Sequence, residues 1–153
     1  MTDIWLDQQD AVYATRITYY LTGYVLENVS GYVTASTTPY TLSDGQLVHP
    51  EVAYLSKDRY PKLGEGVFPL APDLAVLIAH RQKTARDMRE QVMGYLNSGT
   101  LMVWVIYPQD RAVDVYRHSD RGGIIVQNYD QSGTLSGEGL FIGFQLRVKN
   151  IFA

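Results

Sequence analysis

Apolar residues recur along the first part of the chain with the period of an α-helix. Across residues 7–28, "DQQDAVYATRITYYLTGYVLEN", Tyr13, Ile17, Tyr20, Leu21 and Tyr24 fall at i, i+4, i+7, i+8 and i+11, which makes one stripe. Asp7 or Gln8 marks the start of this helix, and the pair Ser30 and Gly31 follows its end. The pattern then changes. "GYVTASTTPYTL" is rich in β-branched and aromatic residues and predicts extended chain, and the turn signal "SDG" at residues 43–45 leads it into "QLVHPEVAYLS" as a hairpin.

After a polar loop punctuated by glycine and proline, "KDRYPKLGEG", comes "FPLAPDLAVLIA". This run is short and apolar on both faces, the signature of a fully buried strand. A second helix is predicted over residues 84–97, with Met88, Val92, Tyr95 and Leu96 inward and Asn97, Ser98 and Gly99 as its stop. "LMVWVIYP" predicts another buried strand with Trp104 in the core, and "QDR" turns it into "AVDVYRH", whose Asp114 among apolar residues suits an outer strand. The tail reads as short strands joined by glycine and serine turns, with a last helical turn near Asn150. Helix, three strands, helix, strand and further strands predict one α+β domain over residues 1–153, built around a mixed sheet.

Composition narrows the picture. With 46% hydrophobic and 19% charged residues among 153, the chain has the balance of an ordinary folded domain. No cysteine is present, which removes disulfides and thiolate metal sites. No apolar run is long enough to span a bilayer, and "MTDIWLDQQD" lacks a basic patch leading into an apolar stretch, so the expected location is cytoplasmic. The net charge of −3 lowers the expectation of a nucleic-acid partner, because phosphate neutralisation usually requires a basic face. DNA is possible but not favoured.

Several phrases resemble the Uma-type restriction endonuclease family, built on the PD-(D/E)XK nuclease core. They are "HPEVAYLSKDRYP", "APDLAVLI", "RDMREQVMGYLNSGTLMVWVIYPQDRAVDVYR" and the closing "LFIGFQLRVKNIF". The likeness spans nearly the whole chain. It implies a restriction-endonuclease-like core in αβββαβ order, followed by C-terminal strands. The strands that usually precede the first helix in that family have no counterpart here, which implies a shortened copy with an open sheet edge. A homodimer is therefore expected.

The activity implied is phosphodiester hydrolysis with Mg²⁺. A hard cation needs converging oxygen ligands, and a nearby ammonium offsets developing charge. Carried over by position, the first carboxylate is Glu51 in "HPEV", where the family prefers Asp, and Asp73 in "PDL" matches the family directly. Asp73, Ala75, Leu77 and Ala79 would share one strand face. The family's central glutamate is replaced by Leu77, and its helical lysine by Gln91. Leucine offers no oxygen, and glutamine carries no charge. The combined loss points to a catalytically inactive copy, with no cofactor expected.

A migrated site would use Glu51, Asp73 and Asp87 as metal ligands with Lys83 as the cation, and would take Mg²⁺ or Mn²⁺. Against that, Asp87 suits the favourable N-terminus of the second helix, and Asp73 suits backbone donors at a strand mouth. Arg81, Lys83, Arg86 and Arg89 form a basic cluster around the same helix start, a possible contact for nucleic acid. His49, His80 and His118 show no ligand spacing. Three readings follow: an inactive nuclease-fold protein, a DNA endonuclease with a migrated site, and a nucleic-acid-binding module without cleavage.

Overall fold

A computed structural model describes residues 6–79 and 83–153. The helix α1 spans Gln8–Asn28, followed by β1 (Gly31–Ala35), the short pair β2 (Tyr40–Thr41) and β3 (Leu47–Val48), then β4 (Val52–Ser56) and β5 (Leu74–Ile78). Helix α2 (Ala85–Leu96) leads to β6 (Met102–Tyr107), β7 (Ala112–His118) and β8 (Ile124–Tyr129). The chain closes with β9 (Thr134–Gly137), β10 (Phe141–Arg147) and the single turn α3 (Val148–Phe152).

Six strands form one sheet in the order β1-β4-β5-β6-β7-β8. All neighbours are antiparallel except β5 and β6, which α2 links as a parallel crossover. This is an α+β fold with a mixed, mostly antiparallel sheet flanked by helices. Among the described residues, no helix is long and apolar enough to cross a membrane.

Alternation along the strands sends side chains to two separate cores. Val52, Tyr54, Leu74, Val76, Trp104 and Val113 pack against Ile17 and Leu21 of α1, against α3, and against Phe141 and Phe144 of β10. Ala75, Leu77, Val103 and Val105 pack on the opposite face against Met88, Val92, Tyr95 and Leu96 of α2. Both faces are thus covered, and all five residues of β5 are buried.

The second helix follows its sequence pattern closely, with the four predicted inward residues buried. In α1 the buried stripe is Asp10, Ala14, Ile17, Leu21 and Val25. Tyr13, Tyr20 and Tyr24 flank it, partly buried, because a tyrosine at the shoulder buries its ring while its hydroxyl stays near water. The helix ends at Asn28, with Ser30 and Gly31 after it as expected. Val29 adopts the left-handed conformation (φ 48°) that glycine usually takes. Gly31 instead begins β1, where a β-carbon would strike the Leu55 carbonyl oxygen. The turn at residues 43–45 does close a hairpin, with Gly45 at φ 89° and Asp44 accepting from the Gln46 N–H at 2.9 Å, but β2 and β3 stand outside the main sheet. Nor is β7 an outer strand: β8 pairs along its whole length and takes the edge.

Burial gives a direct stability test. Leu21 is 0% exposed and Leu63 is 53% exposed. In urea unfolding, Leu21→Ala should cost about 2–5 kcal/mol, and Leu63→Ala should stay within about 0.5 kcal/mol of the parent.

Candidate functional site

Glu51 lies one residue before β4, and its N–H donates to the Val76 carbonyl at 3.1 Å. Since Val52 pairs with Val76, continuing the antiparallel register by one step sets Glu51 opposite Leu77, on the face covered by α2. Two acids at those positions would converge on one point. Only Glu51 supplies oxygen. Leu77 is 3% exposed and belongs to the apolar cluster with Met88, Val92 and Tyr95.

The Glu51 carboxylate has a structural partner. Its Oε2 accepts from the Ile78 N–H at 3.2 Å, which occupies a backbone donor at the end of β5. Burial pushes the Glu51 carboxyl up to about 7; hydrogen bonds from its own and the Ile78 backbone and the Lys83 charge act against the rise, and Asp10 adds to it. Tyr95, on the inward face of α2, is raised by burial first and by the Glu51 charge second. Glu51, Lys83, Asp10 and Tyr95 are therefore electrostatic neighbours.

Asp10 was missed in the sequence. It is 8% exposed in the first turn of α1. The signal was available, because Asp10 occupies the helical position that continues the buried stripe of Ala14, Ile17 and Leu21 towards the N-terminus.

Asp73 sits at the other end of β5. It is four residues from Leu77, roughly 13 Å along an extended strand. Its side chain is 2% exposed; Oδ2 accepts from the Ser56 N–H at 2.6 Å, and Oδ1 lies 3.3 Å from Nη1 of Arg59. Its backbone N–H donates to Tyr54 and its carbonyl accepts from Leu101 and Met102. Asp73 thereby ties together the end of β4, the start of β5 and the start of β6. The structure does not bring it to Glu51.

Asp87 is elsewhere again. Thr84 and Asp87 form a reciprocal cap at the start of α2, each side chain accepting from the other's backbone N–H at 3.1 Å. Those hydrogen bonds, with the Thr84 backbone contribution largest, lower the Asp87 carboxyl below the usual range. Of the migrated ligand set, Asp73 is set apart from Glu51 by the length of β5, while Lys83 acts electrostatically on both Glu51 and Asp87. Among the described residues, no three His, Cys, Asp or Glu side chains are grouped to hold a metal ion.

Gln91 is half-buried on α2, one turn before Tyr95. Lys83, Arg86 and Arg89 are exposed around the helix start, where Arg86 pairs with Glu90 at 3.3 Å and Arg89 acts electrostatically on Tyr116. Arg81 and His80 lie outside the described residues. His49 is exposed, and His118 places Nε2 3.0 Å from the Leu96 carbonyl.

The class of protein is now defined by comparison. The profile of the Uma2 family, described as "Putative restriction endonuclease", matches residues 7–149, and the chain belongs to that family. A solved structure of similar fold is described as a putative nuclease belonging to DUF820, from Anabaena variabilis ATCC 29413. It superposes with a TM-score of 0.84 at 16% identity, over 99% of this chain and 84% of that one. No curated protein matches the chain.

The Glu51 shift carries a pH consequence. A carboxyl raised from 4.5 to about 7 binds its proton more tightly when folded. Its stabilising contribution is complete below the unfolded value and is lost as pH rises through 7, by up to about 3 kcal/mol. Glu51→Gln removes that titration and leaves an oxygen for the Ile78 N–H. Its stability relative to the parent, read from urea midpoints, should therefore be higher at about pH 8 than at about pH 5. An equal difference at both would refute the assignment.

Proposed function

We propose that this chain is a nuclease-fold member of the restriction endonuclease family that has lost metal-dependent phosphodiester hydrolysis. The observation that carries the reading is the β4–β5 register, which, extended by one residue, sets Glu51 opposite the buried Leu77. A divalent cation of the expected kind takes several oxygens at short range and is reluctant to shed water for fewer. The donor set around Glu51 does not fit one. Leu77 replaces an oxygen with a hydrocarbon, and Glu51 already accepts from the Ile78 N–H. Asp73 is committed to Ser56 and Arg59. No hydrolytic step is therefore assigned to this site.

Gln91 bears on the same reading. The position half-buried on α2 carries an amide, which can hydrogen-bond a water but cannot offset the negative charge that builds on a phosphate under attack. A buried acid, lysine and cation would cost desolvation in this layer, whereas Leu77 packs against Met88 and Val92 and adds apolar burial. The replacements are consistent with a protein maintained for its fold rather than for turnover. The exposed basic residues Lys83, Arg86 and Arg89 offer less support for a DNA-binding reading, since Arg86 is paired with Glu90.

Restoration tests the assignment. The double substitution Leu77→Glu with Gln91→Lys should create Mn²⁺ binding that the parent lacks, with the folded circular-dichroism spectrum retained. A double variant that folds and still binds no metal would show that the site is placed wrongly.

A further inference from the structure

The turn after β8 and the junction of β10 with α3 enclose an open concavity of about 300 Å³. Gln131, Ser132, Gly133 and Thr134 line it from the turn, and Arg147 and Lys149 from the junction. Backbone hydrogen bonds hold the two segments together. Gly133 donates to the Asp130 carbonyl at 3.0 Å and closes the turn, and its own carbonyl accepts from the Val148 N–H at 3.0 Å. Thr134 pairs with Arg147 in the β9–β10 register, so their side chains stand on the same face of the ribbon.

Burial fixes where the cations lie. Leu146 is 1% and Val148 0% exposed, and these two side chains anchor the backbone in the core. Arg147 between them and Lys149 after them are exposed. The sequence "LRVK" thus places two positive charges beside one concavity.

These charges have no counter-charge in the chain. Arg59 faces Asp73, Arg86 pairs with Glu90, Arg16 donates to the Ile151 carbonyl and Lys57 sits over the Tyr32 ring. Among the described residues, the side chains of Arg147 and Lys149 make no such contact. A concavity of about 180 Å³ beside Met102 shows the alternative, because its Arg117 lies 2.9 Å from Glu138. No carboxylate lines the larger one. Asp130, next to it in sequence, is turned to Ser132, whose N–H and hydroxyl donate to Oδ1 at 2.9 and 2.6 Å. Neighbouring cations repel each other, and an anion between them reverses the sign of the interaction.

The donor set selects the anion. A guanidinium offers a planar fork that matches two oxygens of a phosphate, and an ammonium adds a compact charge. The Thr134 hydroxyl and the Gln131 amide add neutral donors. A metal ion would find no carboxylate here, and an apolar ligand would find no apolar wall. We propose that this concavity binds a phosphate group through Arg147 and Lys149, with Thr134 and Gln131 completing the contact. The group is either free phosphate or one carried by a nucleic acid, and the site does not depend on the loss of catalysis proposed above.

Titration calorimetry of the full chain with inorganic phosphate, at an ionic strength held constant with chloride, gives the test. Saturable binding is expected. Arg147→Gln and Lys149→Gln should each weaken it about tenfold, with unchanged circular dichroism. Arg121→Gln, which removes the same charge from the exposed turn at the other end of β8, should leave it unchanged. A short DNA duplex titrated in the same buffer separates the two sources. Duplex binding tighter than phosphate and weakened by Arg147→Gln assigns the site to a backbone phosphate. Duplex binding that is absent, no tighter, or unaffected by Arg147→Gln assigns it to free phosphate, provided that phosphate itself binds. Absence of saturable binding to both probes, equal weakening by Arg121→Gln, or affinity that survives Arg147→Gln combined with Lys149→Gln would each overturn the proposal.

Discussion

Five consecutive residues of β5 are buried, with β4 on one side, β6 on the other and a helical layer over each face. Every backbone polar group of such a strand needs a partner, and every side chain needs an apolar neighbour or a paired charge. The two ends of the strand meet that demand with carboxylates. At the start, Asp73 accepts from Ser56 and faces Arg59; at the end, Glu51 accepts from Ile78. Between them Leu74 and Val76 face the α1 layer, and Ala75 and Leu77 the α2 layer. The acids bracket the strand and do not meet.

This arrangement explains why fold and chemistry can part company. A metal site at this end of β5 needs a second carboxylate beside Glu51, and position 77 is where the register would supply it. Leucine there adds to the apolar cluster beneath α2. A buried ion cluster rarely stabilises a fold more than well-packed hydrocarbon does. The sheet, the helices and the family likeness therefore do not depend on an acid at position 77.

The elements with strong periodicity were legible in the sequence. Helix α2 announced itself by its inward stripe and by Thr84 with Asp87 at its start, and β5 by an unbroken apolar run. The family likeness singled out Glu51 and Leu77 as expectations, and the register sets them opposite one another. Other features depend on distant contacts that no local pattern encodes. That Asp73 serves Arg59 rather than Glu51 follows from how the loop after β4 returns to the sheet. That β7 is interior follows from the pairing of β8, whose exposed residues read as a weak strand. Asp10, by contrast, is marked in the sequence by its place on the stripe of Ala14, Ile17 and Leu21.

We propose that Glu51 and Asp73, at opposite ends of β5, hold no cation between them. Titration calorimetry of the parent protein with Mn²⁺, at a pH of about 8 where Glu51 is ionised, tests it most directly. No saturable heat is expected. Stoichiometric binding that Glu51→Gln abolishes would contradict it, and would mean that a working site survives around that carboxylate.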